Sequence, residues 1–184
     1  MSTNGTGWWF AAILPAIMLV AVFEPDEAVA QPKAGAPKTT IPGNEFVFGI
    51  NLPWFDGQYD HDLGPNALHP SWKVWYDGPR VSKCYEDIRK IGFRVVRVWL
   101  MEGAEGLTFD SDGIITGLDE TFLKNLDDLL SRAKSADLRL YLCLTEWKGI
   151  KKFPSPVRDE RQQKAYLEKA VAPLAKRFKD NGTV

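Results

Sequence analysis

The stretch Phe93-Arg94-Val95-Val96-Arg97-Val98-Trp99-Leu100 decides the fold class, because it packs β-branched and aromatic residues into the length of one strand. Gly92 stands directly before it and is expected to end the preceding helix. Similar runs occupy residues 46–52 and 138–145, each beginning about 45 residues from the central one. The regular spacing predicts a repeated strand-then-helix unit.

The segments between these strands carry apolar residues at three- and four-residue spacing, which is typical of amphipathic helices. The first helix is expected to begin near Pro79 and the second directly after Asp119, a suitable N-cap residue. A third helix is predicted over residues 158–178, with a kink at Pro173. Its apolar face is expected to consist of Tyr166, Leu167, Ala170, Val171, Leu174 and Phe178.

The predicted fold class is α/β, a partial (β/α)8 TIM barrel with the first three βα units only. Strands that are apolar on both faces and alternate with helices belong to parallel sheets covered by helices. A complete barrel needs eight units and about 250 residues, whereas this sequence has 184 residues. The alternative is a small three-stranded α/β domain, which would leave both outer strands as exposed apolar edges.

The first 44 residues differ from the rest and predict an export signal and a linker. Residues 8–23 form an unbroken apolar run, and Ala28-Val29-Ala30 has the small-x-small pattern of a signal-peptidase site. Residues 1–30 are therefore expected to be a signal peptide, or a membrane anchor formed by residues 8–23. Residues 31–44 have the composition of a linker, and residues 45–184 form the predicted domain. The expected location is secreted or extracytoplasmic, with no membrane partner once a signal is cleaved.

Composition excludes some classes of partner. The 23 basic and 24 acidic residues give a net charge of −1, which argues against a nucleic-acid-binding protein. Cys84 and Cys143 are expected to be buried free thiols, since one falls on a helix face and the other inside a strand. No cysteine or histidine spacing indicates a metal site, and no cofactor is predicted. The sequence leaves the oligomeric state open.

Aromatic and acidic residues follow the predicted strands at their carboxyl ends, where barrel proteins place their catalytic and ligand-binding residues. Flat aromatic rings pack on the C–H faces of sugars, and carboxylates and amides bind sugar hydroxyls. We therefore predict a carbohydrate site whose substrate-binding residues are Asn51, Trp54, Trp99, Glu102, Glu146 and Trp147. For Trp99 the alternative is a place in the core, and the loop residues Trp72 and Trp75 are further candidates for sugar contact.

Arg97 lies in the middle of an apolar strand, where burying a guanidinium is costly unless a carboxylate pairs with it. It is expected either to form a structural ion pair or to hold a carboxylate of the active site and lower its pKa. From the residues alone, Glu102 and Glu146 could be the two carboxylates of a glycosidase. Residues 110–113 are expected to form the turn of a hairpin rather than a calcium loop.

Residues 44–184 resemble glycoside hydrolase family 5, the group of retaining barrel enzymes that contains cellulases and mannanases. The resemblance rests on Gly49-Ile50-Asn51 followed by Trp54, on Gly92 to Val98, and on the two helical segments 171–174 and 177–181. It implies that Arg97 is a supporting active-site residue. It also implies that the acid/base Glu of strand four and the nucleophile Glu of strand seven are absent from these 184 residues, so that Glu102 and Glu146 become sugar-binding groups.

The implied function is hydrolysis of O-glycosidic bonds in a β-linked polysaccharide or glycan by a retaining two-carboxylate mechanism, with the 184 residues inactive on their own. Many family members carry a histidine near the end of strand three, where this sequence has Thr145-Glu146-Trp147; this difference favours a divergent subgroup. One alternative is a non-catalytic secreted carbohydrate-binding protein. Another is the product of an incomplete reading frame that does not fold alone.

Overall fold

The computed structural model describes residues 47–55, 59–144 and 159–184. Within them lies a parallel three-stranded sheet, whose strands lie side by side in the order in which they occur in the sequence. Its strands are β1 (Gly49–Asn51), β2 (Val95–Trp99) and β5 (Arg139–Cys143). The three predicted strands are therefore confirmed, although each is shorter than its apolar run.

Helix α1 (Gly78–Ile91) connects β1 to β2 and has sequence-encoded ends. Asp77 caps its N-terminus by accepting a hydrogen bond from the Arg80 backbone N–H, and Pro79 lies in the first turn. Gly92 ends the helix in the left-handed conformation, with φ of 101°. Both predicted ends of this helix are confirmed.

Helix α2 (Glu120–Ser135) connects β2 to β5. Asp119 is its N-cap, as predicted, and accepts hydrogen bonds from the backbone N–H groups of Thr121 and Phe122. One face of the helix is buried against the sheet and α1, where it forms much of the core. Its buried residues are Phe122, Leu126, Leu129, Leu130 and Ala133.

The predicted third helix consists of three segments: α3 (Glu160–Tyr166), a π-helical turn (Leu167–Val171) and α4 (Ala172–Phe178). The irregularity lies before Pro173, because proline lacks an N–H and its ring crowds the carbonyl one turn earlier. The wider turn adds a residue and rotates the apolar face. Leu167, predicted on that face, is consequently 51% exposed.

An antiparallel hairpin lies between β2 and α2, formed by β3 (Leu107–Phe109) and β4 (Ile115–Leu118). The side chain of Asp110 closes the turn by accepting hydrogen bonds from the backbone N–H groups of Asp112 and Ile114. This confirms the predicted turn over residues 110–113.

The predictions on cysteine are confirmed in part, and those on the N-terminus lie outside the described residues. Cys84 and Cys143 are both free thiols, but each is half-buried rather than buried. The predicted signal peptide or anchor (1–30) and linker (31–44) fall in residues 1–46, which are not described. Among the described residues, no helix has the length and apolar character needed to cross a membrane.

Three glycine substitutions should separate steric crowding from backbone strain. Gly106→Ala places a Cβ within 2.3 Å of the Phe122 ring, at a backbone φ of 67°. We therefore expect the free energy of unfolding to fall by about 2–5 kcal/mol. Gly92→Ala carries only the strain of φ 101° and should cost about 1 kcal/mol. Gly182→Ala meets no atom within 4 Å and serves as the control. Urea unfolding measures the stability of all three variants. Equal losses of stability for Gly106→Ala and Gly92→Ala would contradict the packing described for Phe122.

Candidate functional site

The sheet has one face packed against the helices and one face that is more open. On β2, Val96 and Val98 are fully buried on the helix side, whereas Arg97 and Trp99 are half-buried on the other side. The parallel register aligns Asn51 with Arg97 and Arg97 with Tyr141, and it aligns Trp99 with Cys143. These five residues therefore share one face of the sheet, which we call the open face.

Arg97 is held at the centre of the open face by uncharged neighbours. Its Nη1 donates to Asn51 Oδ1 at 3.1 Å, and its Nε donates to Cys143 Sγ at 2.9 Å. The guanidinium carbon lies 5.1 Å from the centre of the Trp99 ring, within the range of a cation–π contact. Three neighbouring side chains thus fix its orientation without neutralising its charge.

Among the described residues, Arg97 does not form the structural ion pair that was one of its two expected roles. No carboxylate within residues 47–55, 59–144 and 159–184 forms a salt bridge with it. The prediction assumed a buried guanidinium, but Arg97 is half-buried, so its charge keeps part of its hydration and does not require an internal carboxylate.

Trp54 and Trp99 form an aromatic cluster with Tyr59 at the carboxyl ends of β1 and β2. The Trp54 and Trp99 rings meet edge-to-face with 6.3 Å between their centres, and Trp54 meets Tyr59 in the same way at 5.2 Å. Trp99 is therefore not a core residue. Its Nε1 is shielded from solvent and has no hydrogen-bond partner in the described part of the chain.

The remaining predicted sugar-binding residues are not all placed. Glu102 is only 3% exposed and lies in a 3₁₀ turn, Glu102–Ala104, that follows β2. Its role in sugar binding stays a prediction. Glu146 and Trp147 lie outside the described residues.

The loop after β2 has a strained backbone that sequence reasoning did not reveal. Met101 and Ala104 have φ of 59° and 75°, values that side-chain-bearing residues rarely adopt. Asn66 supports this loop, since its Nδ2 donates to Gly103 O at 3.0 Å and to Asp60 O at 2.9 Å. Strain of this kind persists where surrounding contacts enforce it, often beside functional sites.

Asp62 and Glu105 form a buried carboxyl pair that sequence reasoning also missed. They are 2% and 1% exposed, and Glu105 Oε1 accepts a hydrogen bond from the backbone N–H of Leu63, the residue directly after Asp62, at 2.5 Å. Desolvation raises the pKa of Asp62 to about 7, and desolvation together with the charge of Asp62 raises the pKa of Glu105 well above its ordinary value. Nothing in the local sequence distinguishes these two carboxyls from exposed ones.

Trp72 and Trp75 do not join the Trp54–Trp99 cluster. Trp72 stacks on His69 with 3.9 Å between ring centres and also contacts His61 at 4.9 Å. Trp75 lines a groove beside α1 on the helix side of β1, together with Leu52 and Arg80. Among the described residues, no group of side chains is suited to hold a metal ion.

Two solved structures share this fold. The β-mannanase from the blue mussel Mytilus edulis matches with a TM-score of 0.57 and 22% identity, over 75% of this chain and 39% of that chain. The endo-1,4-β-mannanase from Eisenia fetida matches with a TM-score of 0.59 and 17% identity, over 77% and 39% of the two chains. The parallel sheet with its flanking helices therefore has the α/β architecture of the TIM-barrel mannanases.

The sequence comparison adds a relative. The chain is 28% identical over 142 residues to the mannan endo-1,4-β-mannosidase of Mytilus edulis, which covers 73% of this chain and 36% of the relative. The chain is a homologue of that glycoside hydrolase, and the resemblance to glycoside hydrolase family 5 is confirmed. No protein-family model matches the sequence. The chain spans little more than a third of the length of these relatives.

Substitutions on the two faces of β2 should differ in their effect on stability. Val98→Ala removes fully buried methyl groups and is expected to cost about 2–3 kcal/mol. Arg97→Met keeps the aliphatic length but removes the half-exposed guanidinium, so the expected loss is below about 1 kcal/mol. Urea unfolding followed by circular dichroism compares them. A loss for Arg97→Met as large as that for Val98→Ala would mean that Arg97 serves the fold rather than a site.

Proposed function

We propose that this chain is the substrate-handling part of a retaining glycoside hydrolase that acts on 1,4-β-linked mannan. The observation that carries the proposal is Arg97, whose charge lies between Asn51, Cys143 and Trp99 at the carboxyl end of a parallel sheet and meets no carboxylate among the described residues. In barrel proteins this end of the sheet carries the chemistry. The choice of mannan follows the names of the sequence relative and the two solved structures.

We further propose that residues 45–184 are the first three βα units of the barrel. The segment after α4 supports this arrangement, because the Leu140 N–H on the outer edge of β5 donates to Thr183 O at 2.6 Å. Thr183 is buried at that edge, so the chain returns to the sheet beside β5 at the place where a fourth parallel strand would begin. Residues 1–30 are proposed as the export signal or anchor and residues 31–44 as the linker.

The open face has the chemistry that a sugar subsite needs. Trp54 and Trp99 offer aromatic surface for the C–H faces of a pyranose ring, and Asn51 offers an amide for its hydroxyls. The Arg97 guanidinium favours a carboxylate in its ionised state, which is the state of the nucleophile in a retaining glycosidase. Glu102, Glu146 and Trp147 are proposed to complete the contacts with the sugar.

The proposal separates binding from bond cleavage. The resemblance assigns the acid/base to strand four and the nucleophile to strand seven, and neither strand is among the three described here. The 184 residues are therefore proposed to bind mannan without hydrolysing it. The second candidate, a non-catalytic carbohydrate-binding protein, is favoured by the same observation, because an aromatic face with a single cation suffices for binding.

Affinity electrophoresis in gels containing soluble 1,4-β-mannan, with xylan as the comparison polysaccharide, tests the proposal. We expect mannan to retard the chain, and we expect Arg97→Met and Trp99→Ala each to weaken the affinity about tenfold, since each removes an interaction worth about 1–2 kcal/mol. Trp75→Ala, on the helix side of β1, should bind like the unchanged chain.

If Trp75→Ala weakens the affinity for mannan as much as the open-face variants do, the open face is not the binding surface. If no polysaccharide retards the chain, the proposal is refuted. Reducing ends released from mannan by the 184 residues would show that the two carboxylates of the reaction lie within the chain. That result would return Glu102 and Glu146 to consideration as the catalytic pair.

A further inference from the structure

We propose that Asp62 and Glu105 form a proton-sharing clamp that joins the loop after β1 to the loop after β2 and makes the position of these loops depend on pH. Both loops border the open face, so the inference rests on the proposed function in naming that face as a sugar site. The clamp itself is defined by contacts that involve no ligand.

Each carboxyl group holds backbone from the loop after β1. Glu105 Oε1 accepts hydrogen bonds from the backbone N–H groups of Leu63 at 2.5 Å and Gly64 at 2.8 Å. Asp62 Oδ2 accepts one from the backbone N–H of Phe55 at 3.1 Å. Because Leu63 directly follows Asp62, these contacts bring the two buried carboxyl groups together, and the proposed clamp is a hydrogen bond between them.

A hydrogen bond between two carboxyl groups needs a proton, because two carboxylates only accept. Glu105 Oε1 is engaged by two N–H groups, so we assign the shared proton to the other oxygen of Glu105, which donates it to Asp62.

The surroundings of the pair favour the protonated form. Asp60, on the same loop, adds a negative charge that raises the pKa of Asp62. From α1 the pair faces Tyr85, whose phenol is buried and whose pKa is raised by desolvation and, to a smaller extent, by Asp62. No salt bridge from the described lysines, arginines or histidines reaches either carboxyl.

Loss of the shared proton therefore breaks the link. Two buried anions beside Asp60 repel each other, and burial makes the repulsion stronger than at the surface. Both carboxyl groups have raised pKa values in the folded state, so the fold holds more protons than the unfolded chain once the pH exceeds the ordinary carboxyl range. The stabilisation is fully present below that range and is lost as the pH rises through the folded pKa values.

The clamp reaches the open face through the chain itself. Phe55 follows Trp54, whose ring contacts Trp99, and Glu105 directly follows the turn that contains Glu102. Other contacts between the loops do not titrate, including the two bonds from Asn66 and the bond from the Gly106 N–H to Pro65 O at 2.8 Å. Loss of the proton should therefore loosen the loops locally and leave the fold intact.

Hydrogen–deuterium exchange of single backbone amides between pH 5 and pH 9, corrected for the intrinsic pH dependence of exchange, tests the clamp. We expect the amides of Phe55, Leu63 and Gly64 to lose protection by about tenfold or more as the pH rises. The buried α2 residues Leu129 and Leu130 are the internal reference: they report the loss of global stability and should remain better protected than the three loop amides at every pH.

Glu105→Gln is the matched variant. Its amide can donate to Asp62 permanently while its carbonyl accepts from the same two N–H groups, so protection at the three amides should become independent of pH. Asp62→Asn is the second variant, and its amide donates to Glu105. Protection of the three amides should therefore be independent of pH in this variant too.

Constant protection of the three amides in the unchanged chain would overturn the proposal, even if neither variant folds. Loop amides that stay as well protected as those of α2 at high pH would also overturn it, because they would then exchange only through global unfolding. The exchange experiment uses no carbohydrate. Failure to bind mannan would leave a pH-dependent clamp standing, and a flat exchange profile would leave the proposed mannan site standing.

Discussion

The fold and the candidate site both depend on the alternation of side chains along β2. Val96 and Val98 are fully buried between the sheet and its helices, and this apolar contact is the main stabilising interaction of the strand. The same pleat turns Arg97 and Trp99 to the opposite face. Because β1 and β5 pair with β2 in parallel register, their own alternation adds Asn51, Tyr141 and Cys143 to that face.

The loops that border the open face are organised by buried polar groups rather than by apolar packing. Asn66 and Glu105 satisfy backbone N–H or C=O groups that would otherwise be buried without partners. Gln162 has the same role further along the chain, since its side chain accepts from Ile115 N–H and donates to Gly113 O. Each of these polar side chains connects segments that are more than 30 residues apart in sequence. They fix loops that have little apolar surface of their own to bury.

The similarity to mannanases and the geometry of the open face are separate observations, and both support the proposed function. The homology rests on 142 aligned residues, whereas the site rests on three contacts made by Arg97. In the described part of the chain the Arg97 guanidinium is oriented by an amide, a thiol and an aromatic ring rather than by a carboxylate. An arginine arranged in this way is suited to a carboxylate or ligand supplied from outside the described residues.

The sequence by itself determined the strand and helix order, the N-caps Asp77 and Asp119 and the helix end at Gly92, because these depend on local periodicity and on hydrogen bonds between near neighbours. It also identified Arg97 as an exception within an apolar strand, and it left Trp99 open between the core and a sugar contact. Only the tertiary structure decided that the described partners of Arg97 are uncharged, that Trp75 lines a groove beside α1, and that Asp62 and Glu105 are both buried. These outcomes depend on contacts between segments distant in sequence, and no local pattern shows whether a carboxyl group will meet water or another carboxyl group.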